Sequence, residues 1–257
     1  AIMTLLTTLK LQEERPAVEP ECSSTEDCEK SIFQAFKLTL QAGGWILKTP
    51  FALVLILAGL MFDNCIRMVI TLNSQYYRLI NLPEASFGLI SSGFAVLGLV
   101  IPWLAYKLVI RHSPAYNLGV MAIVSTIGLF GMTFFWPIIG LLPIALLSVV
   151  MYMGRFFQSH YLNRITASNQ RATVLSFKGL SFNLAYGLIG VMYSVLLVFL
   201  RPQLVASYPD LSYTGIENLV FIKSIGWFPW YFLLTLVALL AIARWQLQNT
   251  DVYKTPG

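Results

Sequence analysis

Two residues could do chemistry by virtue of their spacing. Asp63 and Arg67 stand four apart in the apolar stretch 46–73, so a helix puts both on one face. At the centre of a bilayer either charge alone costs roughly 2.5–3.5 kcal/mol. Pairing lowers that cost without removing it, so the pair must face a bundle interior or an aqueous cavity. Asn64 adds a polar group beside them. The pair reads either as a substrate or proton-coupling site, or as a structural ion pair that orients its helix. Arg155, in Met153-Gly154-Arg155-Phe156-Phe157-Gln158, is a further intramembrane charge. It reads as a cavity-lining or gating cation, or as an arginine snorkelling to headgroups.

A second tier of positions is weaker. Asn73, Gln75, Tyr76 and Tyr77 fall at the far end of the first span, where they could line a vestibule or form an interfacial belt. Asn183 and Tyr186 lie one helical turn apart and fit a cavity wall or an interhelical hydrogen bond. Arg171 opens the fifth span. Gly88/Ser92, Ser91/Ala95 and Gly187/Gly190 are small-residue pairs of the kind that lets helices pack closely. Enzyme signatures are missing: there is no HExxH, GxSxG, Walker loop or GxGxxG. The two histidines, His112 and His160, sit at ends of different spans. No enzyme activity, metal or cofactor is therefore expected. Cys22, Cys28 and Cys65 show no zinc spacing and read as unpaired thiols.

The elements that must position these residues follow from composition. The chain has 257 residues, 57% hydrophobic and 11% charged, with mean hydropathy +0.70. Soluble domains carry about a quarter charged residues. Charge-free runs cover 49–62, 87–106, 113–154, 179–200 and 224–243. About 18 apolar residues suffice to span a bilayer, and 113–154 is long enough for two crossings. The fold class is all-α: a polytopic membrane protein with six transmembrane helices, near 46–73, 86–106, 116–136, 138–160, 172–200 and 225–245. Residues 201–224 read as a longer loop. Nucleic-acid binding and a secreted disulfide scaffold are excluded; the lipid bilayer is the expected partner.

Residues 1–9 read as the end of a preceding helix, 10–30 as an acidic cytoplasmic linker, and 31–40 as an amphipathic interfacial helix. The six-helix bundle occupies 41–246 and a cytoplasmic tail 247–257. Of the seventeen Lys and Arg, twelve fall on one side of this layout, three on the other, and Arg67 and Arg155 within spans. The positive-inside rule then puts both termini of the segment in the cytoplasm.

One stretch goes beyond composition: Tyr161-Leu162-Asn163-Arg164, a short polar loop, then Arg171-Ala172-Thr173-Val174-Leu175-Ser176. This junction resembles the loop between helices ten and eleven of the major facilitator superfamily, especially bacterial members akin to drug–proton antiporters. The remaining layout fits that register, with residues 46–245 as helices seven to twelve. The family's charged loop motif has an echo at Pro102–His112, but Tyr106 stands where an Asp would be, and only Lys107 and Arg111 keep its basic character. The resemblance implies the C-terminal half of a twelve-helix, secondary active transporter in a bacterial inner membrane. Its partners would be a missing N-terminal six-helix half, a small organic solute and protons. By the same resemblance the first and fourth spans line a central cavity, which would place Asp63, Asn64, Arg67 and Arg155 at a substrate or coupling site. Drug or metabolite efflux is the favoured direction. The alternatives are a metabolite importer or permease, or a stand-alone six-span structural protein without transport.

Overall fold

The structure is a computed structural model, and it describes residues 43–248. The reading of residues 1–9, 10–30 and 31–40, with Cys22 and Cys28, lies outside the described residues, as does most of the tail. Six helical stretches are long and apolar enough to cross a membrane: Pro50–Thr71, Glu84–Arg111, Pro114–Met132, Leu141–Ile165, Arg171–Ser207 and Tyr213–Gln246. The described residues contain no strand. The architecture is that of an all-α polytopic membrane protein.

After a helical turn at 43–48, the helices are α1 (Pro50–Thr71), α2 (Asn73–Leu79), α3 (Phe87–Arg111), α4 (Pro114–Met132), α5 (Leu141–Ile165), α6 (Arg171–Ser207), α7 (Tyr213–Ile225) and α8 (Phe228–Gln248). Pro50 begins α1, where a missing N–H breaks no helical bond. Ser113 caps α4 by accepting from the Tyr116 N–H at 3.3 Å, and Pro114 fills the first helical position. Short connections join α3 to α4 and α5 to α6, so neighbouring spans alternate in direction. Pro50, Arg111, Ile165 and Arg171 thus share one end of the bundle, called here the basic end.

α1 is the hub. It packs on α5, α6 and α8, while α5 also holds α3 and α4. In α1, 67% of the crossing window is buried, against 11% in α3 and 6% in α6. Phe62 meets Phe232 of α8 with ring centroids 5.6 Å apart, and Cys65 is fully buried. Gly59 lets α5 approach, because a Cβ there would overlap the Gln158 amide. Gly131 performs the same service between α4 and α5, where a Cβ would fall 2.8 Å from Pro143 Cγ. The small-residue pairs expected to pack closely do not: a Cβ at Gly88, Gly187 or Gly190 meets nothing within 4 Å, and Ser91, Ser92 and Ala95 are exposed. Those faces belong to α3 and α6, which border the bundle.

The expected loop at 201–224 is helical instead. α6 continues through Pro202 to Ser207, and α7 then returns along it. Ser212 caps α7 by accepting from the Gly215 N–H at 3.2 Å. Ile216 and Val220 of α7 bury against Leu204, and Arg201 grips Glu217 with two bonds of 2.8 and 2.9 Å. The charges that made this segment read as a loop form a clamp between two helices.

Gly131→Ala and Gly187→Ala separate close approach from helix propensity. Both gain up to about 1 kcal/mol of propensity. At Gly131 the rigid Pro143 ring cannot turn aside, and overpacking of about 1–3 kcal/mol outweighs that gain. Thermal unfolding in detergent should show a lower midpoint for Gly131→Ala and an unchanged or higher one for Gly187→Ala.

Candidate functional site

Asp63 lies thirteen residues into α1 from Pro50, about 20 Å along the helix axis. Its carboxylate contacts Arg67 Nη2. The Asp63 side chain is 9% exposed and that of Arg67 25%. Arg67 reaches across to α6: Nη1 donates to Asn183 Oδ1 at 3.2 Å, and the guanidinium lies 5.1 Å from the Tyr186 ring centroid. One turn on, Thr71 donates its hydroxyl to the Arg67 carbonyl at 2.9 Å and accepts from the Tyr186 hydroxyl at 2.8 Å. Asp63, Arg67, Thr71, Asn183 and Tyr186 are therefore one polar seam between α1 and α6.

The seam is not saturated. Asp63 Oδ2, despite its contact with Arg67, lacks hydrogen-bond geometry; Arg67 Nε and Asn64 Oδ1 are buried without partners. Unsatisfied buried polar atoms are costly, and a functional site is one place where they persist. Beside them a recess of about 30 Å³ opens between α1, α4, α5 and α6, lined by Gly59, Asp63, Arg155, Gln158 and Phe182 among apolar neighbours. That volume accommodates about one water molecule. Arg155 reaches the recess from α5 and is itself exposed. Lys178 of α6 lies 5.4 Å from the Phe182 ring centroid, within electrostatic reach of both Asp63 and Arg155.

The structure thus brings Asp63, Arg67, Arg155, Asn183 and Tyr186 together. Asn64 is buried on α1 next in sequence. The remaining candidates lie elsewhere. Gln75 donates from Nε2 to Asn218 Oδ1 at 2.8 Å, pinning α2 to α7. Tyr76 is completely buried, donates to the Gly140 carbonyl at 3.4 Å and packs on Phe135, so it lines no open vestibule. Burial pushes its phenol up to about 12, which keeps it a donor. Arg171 sits at the basic end, where Nη2 donates to the Asn163 carbonyl at 3.3 Å and closes the junction between α5 and α6. Tyr161 of the same motif accepts from Asn117 Nδ2 at 2.9 Å, and Asn117 also donates to the Leu108 carbonyl at 3.4 Å. The junction motif thus locks helix ends together. Its residues do not reach the recess lining.

Lys178 is the site residue that sequence reasoning missed. It stands only seven residues after Arg171, close enough to the basic end to be counted as a loop charge. The usable signal was its spacing of four from Phe182 and eight from Tyr186, which puts all three on one side of α6. Among the described residues no group of three His, Cys, Asp or Glu could hold a metal ion. No protein-family model, curated protein or solved structure matches the chain.

Arg67→Gln leaves Asp63 buried without its cation and should destabilise toward the lower end of about 3–5 kcal/mol, since Arg67 is a quarter exposed. The double variant Asp63→Asn with Arg67→Gln should recover most of that loss in thermal unfolding. Equal destabilisation by the single and double variants would show that the pair does not interact.

Proposed function

We propose that this chain forms the C-terminal six-helix half of a secondary active transporter of the major facilitator type, which moves a small organic solute by alternating access. The observation that carries the reading is the Asp63–Arg67 pair. It occupies the most buried span, is tied across to α6, and has unsatisfied polar atoms next to a recess. A packing scaffold gains nothing from charges at that depth, and ionisable groups within spans mark substrate or proton pathways. The Tyr161–Ser176 junction motif supports the family assignment. The distribution of Lys and Arg supports a cytoplasmic basic end, and the resemblance implies a bacterial inner membrane.

Asp63 is the coupling group in this reading. Ionised, it neutralises Arg67 within α1 and fixes the guanidinium that bridges to Asn183 and Tyr186 of α6. Protonated, it no longer holds the guanidinium in place, and the bridge between α1 and α6 is free to rearrange. Rocking of one helical bundle against another then proceeds with the proton bound. Efflux of a drug or metabolite is the favoured direction.

Asn183→Cys tests this directly, because Asn183 is exposed and touches Arg67. With the other cysteines replaced by serine, a membrane-impermeant maleimide should label it when applied from either face of a sealed vesicle. Labelling from one face alone, or from neither, contradicts alternating access.

A further inference from the structure

One cation lines the recess, two more lie against residues of its lining, and one carboxylate answers all three. Arg155 lines it, Lys178 lies over Phe182 of its wall, and Arg67 contacts Asp63 of its floor. The other carboxylates among the described residues are elsewhere. Glu84 accepts from Arg78 at 2.8 Å, Glu217 is clamped by Arg201, and Asp210 lies in the turn after α6. Asp63 is already committed to Arg67. Arg155 therefore has no hydrogen-bond acceptor and no carboxylate of its own among the described residues, and Lys178 has the Phe182 face and a share in the field of Asp63, with no ion pair.

Depth makes this imbalance costly. Arg155 is ten residues from the end of α5 at Ile165, about 15 Å along the axis. Lys178 is seven residues from the start of α6, about 10 Å. With the apolar part of α5 ending near residue 160, both cations lie below the basic-end interface, in that half of the hydrocarbon core. An uncompensated cation there is strongly disfavoured, and an anion at the mouth of the recess would remove most of that penalty.

From this convergence we infer that the recess mouth, between Arg155 and Lys178, binds the carboxylate or phosphate group of an anionic ligand. The inference rests on the transport reading and assigns its solute the class of organic anions. Phe182 supplies an apolar surface beside the cations, and Arg67 sets the far limit of the positive field. A small aromatic carboxylate has the matching chemistry. The headgroup of an anionic lipid offers the same phosphate, so the experiment must separate the two sources.

Met151 lines the recess without carrying charge. Met151→Cys, with Cys22, Cys28 and Cys65 replaced by serine, is placed in nanodiscs of phosphatidylcholine. Its rates with an anionic and a cationic methanethiosulfonate reagent are each normalised to a free thiol. The anionic reagent should be favoured by about tenfold or more, the scale of electrostatic focusing in a cleft. Arg155→Gln with Lys178→Gln should bring the ratio near one, and Asp63→Asn should raise it. A ratio that favours the cation, or that ignores these substitutions, overturns the inference and leaves the transport reading standing. No reaction with either reagent shows that the mouth admits no charged solute and overturns the inference. Protection of the introduced thiol by benzoate or inorganic phosphate assigns the site to a soluble anion. Protection only when phosphatidylglycerol is added to the disc assigns it to a lipid headgroup. Protection by none of these overturns the site.

Discussion

Two opposite charges held four residues apart on the most buried helix constrain the rest of this bundle. In hydrocarbon neither Asp63 nor Arg67 can be left alone, and the short Asp63 side chain is too far from either end of α1 to reach water there. The helix that bears them must therefore be surrounded. α5 and α8 cover its apolar faces, Gly59 admits Gln158 at close range, and α6 brings Asn183 and Tyr186 to the guanidinium. What would be a penalty in a lone helix becomes the contact that sets the rotation of α1 against α6.

The same logic separates the inner and outer helices. α1 is mostly buried, whereas α3 and α6 turn long apolar faces outward, with Leu89, Leu99, Leu184 and Leu188 all exposed. In lipid such faces carry no hydrophobic penalty, and their glycines need no partner. α6 is nonetheless not inert. It carries Asn183 and Tyr186 into the polar seam and Lys178 and Phe182 beside the recess, so the least buried span also meets the polar interior.

Much of the fold was legible in the sequence because crossing a membrane needs uninterrupted apolar length, and charges interrupt it visibly. The six spans and the burial of the Asp63–Arg67 face follow from that rule. The segment 201–224 did not, because Arg201 and Glu217 look like solvated loop charges until the chain turns back and pairs them. Tyr76 carried the same ambiguity: an aromatic at a span end fits a belt, and only the return of Gly140 over it shows a buried donor. Asn117 was invisible for a related reason. Its partner Tyr161 lies on another helix, at a separation that no local pattern encodes. The partners of Arg67 were within reach, since Asn183 and Tyr186 were already paired by spacing; what was missing was which helix they faced.

The proposed function stands on Asp63 exchanging a proton during transport. Infrared difference spectroscopy of the protein in lipid, between acid and neutral pH and in H2O against D2O, tests it most directly. The account predicts a carboxylic C=O band that appears on acidification, shifts in D2O and is missing in Asp63→Asn. A spectrum in which Asp63→Asn and the unsubstituted protein titrate identically would make the pair a fixed structural bridge and contradict the account.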